Sequence, residues 1–528
     1  MNPLIDKLLN LWPELAVLIG AVACLSLGLA RTQAMRSLTA AAAGLSLAVA
    51  SGLAWFAQPL ESGVGLVGAI GYLRVFIPLA GLLLVLVAAG VPDRIQQVMD
   101  AEAGPQFKPG RSSRGEFFAF MLLSIAGAML TAGADDLVWL FLALELTSLP
   151  TYVLVIMSRG DDRSQEAGVK YFFLGAFSAA IFLYGFALIY GATGATDFGA
   201  IHAAITSEVA QTGTLSPVLT TGFVLAILGI GFKLAAFPMH FYAADVYQGA
   251  ATPVSAFLAV IPKAAGFAAM MLVLGLVGWP LDKNPMATDA GEILAFLVAA
   301  IAVLTMFAGN LLAMVQSNVK RMLAYSSVAH SGYLLIPLLV GPGETGGSSG
   351  LAALLFYLPA YAAGTIACFA ALAALKSEPD EGHRYADLKG LRIAHPLLAA
   401  SLAIGSLSLL GLPPLIGFLG KLHIMTSGLS DGHEVLIALL VINSAISAGY
   451  YLRLAAGPMI QSGEQKDASG TYGSLAISGA CAAAVLALAL GLFGGPVLDS
   501  ASTAGELSTV QLGTLFQPTT VLLDQVDP

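Results

Sequence analysis

Residues 217–268, PVLTTGFVLAILGIGFKLAAFPMHFYAADVYQGAATPVSAFLAVIPKAAGFA, place two lysines, Lys233 and Lys263, inside runs apolar enough to lie in a bilayer. A third, Lys421, sits in GLPPLIGFLGKLHIM (411–425), and an acid, Glu145, in LVWLFLALELTSLP (137–150). An ammonium at the bilayer centre costs roughly 2.5–3.5 kcal/mol on insertion scales, so such groups pair, line a hydrated path or carry charge for function. One acid and three bases in an apolar bundle read first as a machine for moving protons or cations.

The composition agrees with a membrane solvent. Of 528 residues, 57% are hydrophobic and only 10% charged, against about a quarter charged in soluble domains, and the mean hydropathy is +0.84. The net charge is −9, with basic residues scattered over loops, which argues against a nucleic-acid partner. Cys24, Cys368 and Cys481 stand alone in apolar runs, so no metal, haem or iron–sulfur site follows from them. A membrane enzyme acting on lipid or sugar would need a loop cluster of catalytic groups, and the sequence shows none.

Apolar runs long enough for about 30 Å of hydrocarbon number fourteen, near 12–30, 36–57, 66–90, 116–132, 135–157, 168–191, 217–249, 252–276, 290–314, 321–341, 350–375, 393–429, 433–458 and 472–493. The first has neither a basic leader nor a small-residue cleavage site and is expected to remain as a helix. Seventeen of the twenty-three lysines and arginines fall in the loops after segments 1, 3, 5, 9, 11 and 13. By the positive-inside rule these loops are cytoplasmic and both termini lie on the outer, periplasmic side of a multi-pass inner-membrane protein. The longest basic loop, 91–115, is a candidate partner contact or connector. The acidic tail after residue 494 is expected along the outer face.

Depth follows from helical rise. Glu145 lies ten residues after Asp135, about 15 Å at about 1.5 Å per residue, which is mid-membrane. Lys263, eleven residues after Thr252, and Lys421, ten before Asp431, come to the same plane. Segments 217–249 and 393–429 would each be about 50 Å or more as straight helices. Both contain breakers, Pro238 in one and Gly411, Pro413 and Pro414 in the other. They are expected to be discontinuous helices, a device of ion transporters built from inverted repeats. His240 and Asp245 follow Pro238, where the expected role is hydrogen bonding to freed backbone groups.

The stretches ELTSLPTYVL (145–154), VKYFFLGAFSAAIFLYGFALIYGATGATDF (169–198), FKLAAFPMHFYAADVYQGAATPVSAFLAVIPKAAGFA (232–268), KRMLAYSSVAHSGY (320–333) and LSLLGLPPLIGFLGK (407–421) resemble the antiporter-like membrane subunits of respiratory complex I. Among these the resemblance is greatest to the group called subunit N, or subunit 2 in organelles. Pro262-Lys263 favours that group over the L and M types, and Lys421 stands where M has glutamate. No long lateral amphipathic helix of the L type is expected after the fourteenth segment.

The resemblance implies an all-α fold of about fourteen transmembrane helices with two discontinuous ones. It divides the chain into an N-terminal unit (1–115), two antiporter-like halves (116–276 and 290–458) and a final helix with tail (459–528). It implies a proton-translocating subunit of an NADH-quinone oxidoreductase, in which Glu145 pairs with Lys233, Lys263 connects the halves, Lys421 lies near the exit and His330 bridges the last two. Cofactors would be absent from this chain, with FMN, iron–sulfur clusters and quinone held by partner subunits. Its partners would be other membrane subunits and the lipid bilayer. Two other classes stay open at this point: a subunit of a multi-subunit cation/proton antiporter or membrane-bound hydrogenase, and a scaffold that has lost transport. The persistence of four costly buried charges argues against the scaffold.

Overall fold

The computed structural model describes residues 10–57, 64–91, 113–159, 161–279, 289–342, 349–375, 384–460 and 474–515. The described part of the chain is helical, in nineteen α-helices. The first unit is α1 (Trp12–Gly28), α2 (Gln33–Phe56) and α3 (Val67–Ala89). Next come α4 (Arg114–Ala132), α5 (Leu137–Met157), α6 (Asp162–Thr193), α7 (Phe198–Thr212), α8 (Pro217–Ile230), α9 (Ala243–Gly249) and α10 (Thr252–Val277). The second half holds α11 (Asp289–Met314), α12 (Val319–Val340), α13 (Gly350–Ala374), the short α14 (Leu391–Ala394), α15 (Pro396–Leu410), α16 (Ile416–Ser430) and α17 (Glu434–Ile460). α18 (Ser474–Phe493) and α19 (Gly495–Leu515) close the chain.

Eleven of these are long and apolar enough to cross a membrane, and α1, α8 and α15 are shorter apolar helices. Together they match the fourteen expected segments. Polar caps set where several begin. Asp136 accepts from the Val138 amide at 2.6 Å to start α5, Asp161 from Ser164 at 2.8 Å to start α6, and Asn318 from Arg321 at 3.1 Å to start α12. Each side chain satisfies an amide that the first helical turn leaves without a partner.

α10 is the axis of the molecule. It packs against α3, α4, α5, α7, α8, α9, α12 and α13, and its most apolar stretch is wholly buried. Lys263 lies in its middle.

Three features depart from the sequence reading. Residues 198–212, expected to be connector, form α7, which Asp197 caps through the Ala200 amide at 2.9 Å. The Leu137 amide donates to Thr196 O and the Phe198 amide to Asp135 O, both at 2.9 Å, tying this loop to the start of α5. The tail after residue 494 also forms a helix, α19, which packs on the first turns of α3 and α13. There the Ala69 amide donates to Ser508 Oγ at 3.3 Å, and a Cβ on Gly68 would fall 2.2 Å from Ala504 O. α6 begins six residues earlier than expected, so Arg163 is part of a helix and not of a loop. Most of the basic loop 91–115, and the last residues of the acidic tail, lie outside the described residues.

Candidate functional site

The helix that α8 begins stops at Ile230, and residues 231–242 run without regular helix before α9. Such a break inside an apolar bundle needs partners for its freed amides and carbonyls. It has them. The Lys233 amide donates to Ile230 O at 2.9 Å and the Ala236 amide to Gly231 O at 2.8 Å. Side chains supply further partners: Thr305 of α11 accepts from the Phe237 amide at 2.9 Å, Ser331 of α12 donates to Leu234 O at 2.5 Å, and Tyr242, at the end of the break itself, donates to Phe232 O at 2.9 Å. Ala235 sits at φ 53, a left-handed conformation that an L-residue adopts at a cost of roughly 1–2 kcal/mol.

Lys233 projects from this break. Its Nζ lies 3.4 Å from Glu145 Oε1 on α5 and also hydrogen-bonds Ser148 Oγ, one turn along the same helix. The lysine side chain is buried at 3% exposure while the carboxylate keeps 18%, so the pair is open on the acid's side. Lys263 is fully enclosed. It donates to Ser331 Oγ at 2.5 Å and to the Ser327 carbonyl, and lies 5.6 Å from the Tyr361 ring centre.

The second break separates α15 from α16. Gly411, Leu412, Pro413 and Pro414 form it, with Gly411 at φ 89, a region that favours glycine. A Cβ there would also stand 3.0 Å from Lys421 Cδ. Lys421 lies beyond the break on α16 and reaches back across it. Its Nζ donates to Leu410 O at 2.7 Å and to Ser444 Oγ on α17 at 3.0 Å, and sits 5.1 Å from the Tyr333 ring centre. Among the described residues neither Lys263 nor Lys421 has an ion pair.

His330 is buried at the middle of α12. Nδ1 lies 2.7 Å from the Tyr357 hydroxyl and Nε2 2.9 Å from that of Tyr451, which in turn bonds Ser326 Oγ. Beside it, Asn310 donates to the Tyr333 hydroxyl at 2.9 Å and to Asn443 Oδ1 at 3.1 Å, and accepts from Tyr450 at 2.8 Å. A buried polar network this well satisfied is ordered and specific.

The family described as NADH:quinone oxidoreductase/Mrp antiporter, TM, matches residues 134–447, a span that includes both breaks and all four charged groups. The chain belongs to this family. Subunit N 1 of the NADH-quinone oxidoreductase of Sorangium cellulosum is 41% identical over 353 residues, 67% of this chain and 68% of that protein. Subunit N of Desulfovibrio desulfuricans is 37% identical over 492 residues, 90% of this chain and 91% of that one. Among solved structures, a chain of respiratory complex I from Thermus thermophilus with bound aureothin matches with a TM-score of 0.70 at 34% identity, covering 92% of this chain and 98% of that chain. The Mrp complex from Dietzia shares the fold, with a TM-score of 0.77 at 21% identity over 98% of this chain and 100% of that one. This antiporter-like family member is thus a multi-pass membrane protein of the NADH-quinone oxidoreductase kind, which agrees with the expectation that flavin and clusters belong to partner subunits.

The structure of this antiporter-like chain brings Glu145 and Lys233 together, and both breaks fall where the prolines put them. It differs at two residues, His330 and Asp245. His330 does not hydrogen-bond to either lysine; tyrosines from α13 and α17 take both its nitrogens. His240 lies buried in the first break, stacked on Phe241 with ring centres 4.6 Å apart; it bonds the Pro238 backbone, and its Nδ1 has no partner among the described residues. Asp245 is not a backbone cap. It accepts from Arg321 at 2.6 Å and Lys170 at 3.0 Å, because α9 brings it between α12 and α6. Sequence reasoning missed Ser148, Ser331, Ser444 and the tyrosines around His330. The only advance signal was polar crowding in YSSVAHSGY (325–333) of α12.

Proposed function

We propose that this chain is the proton-translocating membrane subunit of an NADH-quinone oxidoreductase, and that Glu145, Lys233, Lys263, His330 and Lys421 form its mid-membrane relay. The contact of Lys233 with Glu145 at the rim of a broken helix carries this reading. In low dielectric an ion pair is strong when closed and costly when opened. Opening or closing it switches Lys233 between holding and releasing a proton. Redox events in partner subunits need only bias that two-state element. The chain itself takes no electrons; FMN, iron–sulfur clusters and quinone belong to those partners.

In the same reading the relay runs from the first half (116–276) into the second (290–458), with residues 1–115 and 459–528 as flanking units. Lys263 on the central helix joins the two halves, and both termini face the periplasm. The test is the ratio of protons moved to electrons transferred in closed vesicles holding the assembled complex. Glu145→Gln lowers that ratio while quinone reduction continues. An unchanged ratio overturns the ion-pair switch.

A further inference from the structure

Each of the three intramembrane lysines donates to a serine hydroxyl on another helix. Lys233 donates to Ser148 of α5, Lys263 to Ser331 of α12 at 2.5 Å and Lys421 to Ser444 of α17 at 3.0 Å. Their remaining hydrogen-bond partners only accept: the Glu145 carboxylate, the Ser327 carbonyl and the Leu410 carbonyl. An ammonium has three donors and no acceptor, whereas a neutral amine presents a lone pair that needs a donor. A hydroxyl can serve either state. Serine is therefore the one hydrogen-bond partner at each site compatible with both proton-loaded and proton-free lysine.

Ser331 has a further property. Its own hydroxyl proton is given to Leu234 O at 2.5 Å, and Leu234 is the residue directly after Lys233 in the first break. The order of bonds is Lys263 Nζ to Ser331 Oγ, then Ser331 Oγ to the backbone that carries Lys233. The other carbonyl within reach of Ser331, that of Ser327, is at 3.3 Å.

We propose that Ser331 is a positioning residue that transmits the proton state of Lys263 to the break holding Lys233. The inference rests on the relay reading above. While Lys263 is protonated, the hydroxyl turns to Leu234 O and fixes the break. When the proton passes to the next acceptor in the relay, the amine lone pair takes the Ser331 hydroxyl as a hydrogen bond. The O–H bond rotates and does not break, so Ser331 neither gains nor loses a proton. The Leu234 carbonyl, in a fully buried residue, then lacks that partner, and a buried acceptor without a donor destabilises the arrangement it sits in. Lys233 is thereby freed to change its distance from Glu145. One lysine's discharge prepares the other.

The test uses the assembled complex in closed vesicles, with quinone reduction and proton movement followed together in Ser331→Ala, Ser331→Cys, Lys263→Met and the Lys263→Met/Ser331→Ala double variant. Cysteine keeps nearly the size of serine but donates weakly, so it carries the comparison if alanine impairs assembly. Both Ser331 variants are expected to retain quinone reduction and lose part of the protons moved per electron. Adding Ser331→Ala to Lys263→Met is expected to cause no further loss, since coupled residues are non-additive. If the Ser331 variants pump as the parent does while Lys263→Met does not, the serine link falls and the relay stands. If Lys263→Met pumps normally, the relay reading falls. An equal loss from Ser331→Ala with and without Lys263 assigns the serine to packing alone and overturns the link.

Discussion

The two breaks each serve one lysine and hold it by different physics. Lys233 is part of the first break and faces a carboxylate that keeps 18% exposure. Lys421 lies past the second break and folds back onto Leu410 O, Ser444 and the Tyr333 ring, with no acid among the described residues. One site is an ion pair and the other a lone cation among dipoles and a π face. An ion pair depends on its partner, since removing one member strands the other. A cation held by neutral groups leaves nothing charged behind.

That contrast makes Lys233→Met the most damaging of these changes. It leaves Glu145 without its counter-ion and should cost up to about 3 kcal/mol, the low end for a stranded buried partner because this one is partly exposed. The thermal midpoint of the isolated complex reads this loss, and adding Glu145→Gln should restore most of it. If the double variant is no better than the single one, the pair is not what holds the first break.

Backbone approaches differ in the same way. A Cβ on Gly417 beside the second break would fall 1.8 Å from Ser408 O. Gly417→Ala should therefore destabilise by about 1–3 kcal/mol, as overpacking does. On Gly266, facing the first break, the Cβ would come 2.7 Å from Leu234 Cδ2 and 3.0 Å from Lys233 Cβ. Leu234 Cδ2 is the far end of a side chain that can shift, and Lys233 Cβ need yield only a few tenths of an ångström, so Gly266→Ala should lower the same midpoint less than Gly417→Ala.

Lys421→Met should leave stability within about 1 kcal/mol of the parent, because an apolar chain of similar length replaces an unpaired buried charge. Proton movement should fall nonetheless. A stability loss matching that of Lys233→Met would mean the two sites are alike after all. Asp245→Asn, which breaks the half-exposed pairs to Lys170 and Arg321, should be the mildest, at about 1 kcal/mol or less and diminishing with added salt.

Much of this was legible in the sequence. Span length fixed the number of crossings, breakers fixed the two discontinuities, and the rarity of charge in apolar runs singled out Glu145, Lys233, Lys263 and Lys421. Burial was not legible. The apolar core of α10 has a mean hydropathy of 2.0 and is entirely buried, while that of α18 has 2.3 and is 33% buried. Lipid is as apolar as a protein core, so hydropathy cannot tell an inner helix from an outer one. The serines were invisible for a related reason: a serine in a membrane helix usually bonds its own turn, as Ser427 does to Ile424 O at 3.1 Å. Only a neighbouring lysine converts Ser148, Ser331 or Ser444 into a partner. α7, at 15 residues, carries no span-length signal, and α19, although 21 residues long, is too rich in serine, threonine and acidic residues to read as a crossing.

The enclosure of α10 has a consequence for biosynthesis. Ribosomes deliver this chain from its N-terminus, and the walls that shut Lys263 away from lipid include α12 and α13, which end at Val340 and Ala374. For the time needed to make about a hundred further residues, the central helix is in the membrane with its ammonium bare on one side. Until then Lys263 must be shielded by the insertion machinery, by water, or by staying deprotonated. The order of synthesis thus leaves the residue at the heart of the finished bundle waiting for its last walls.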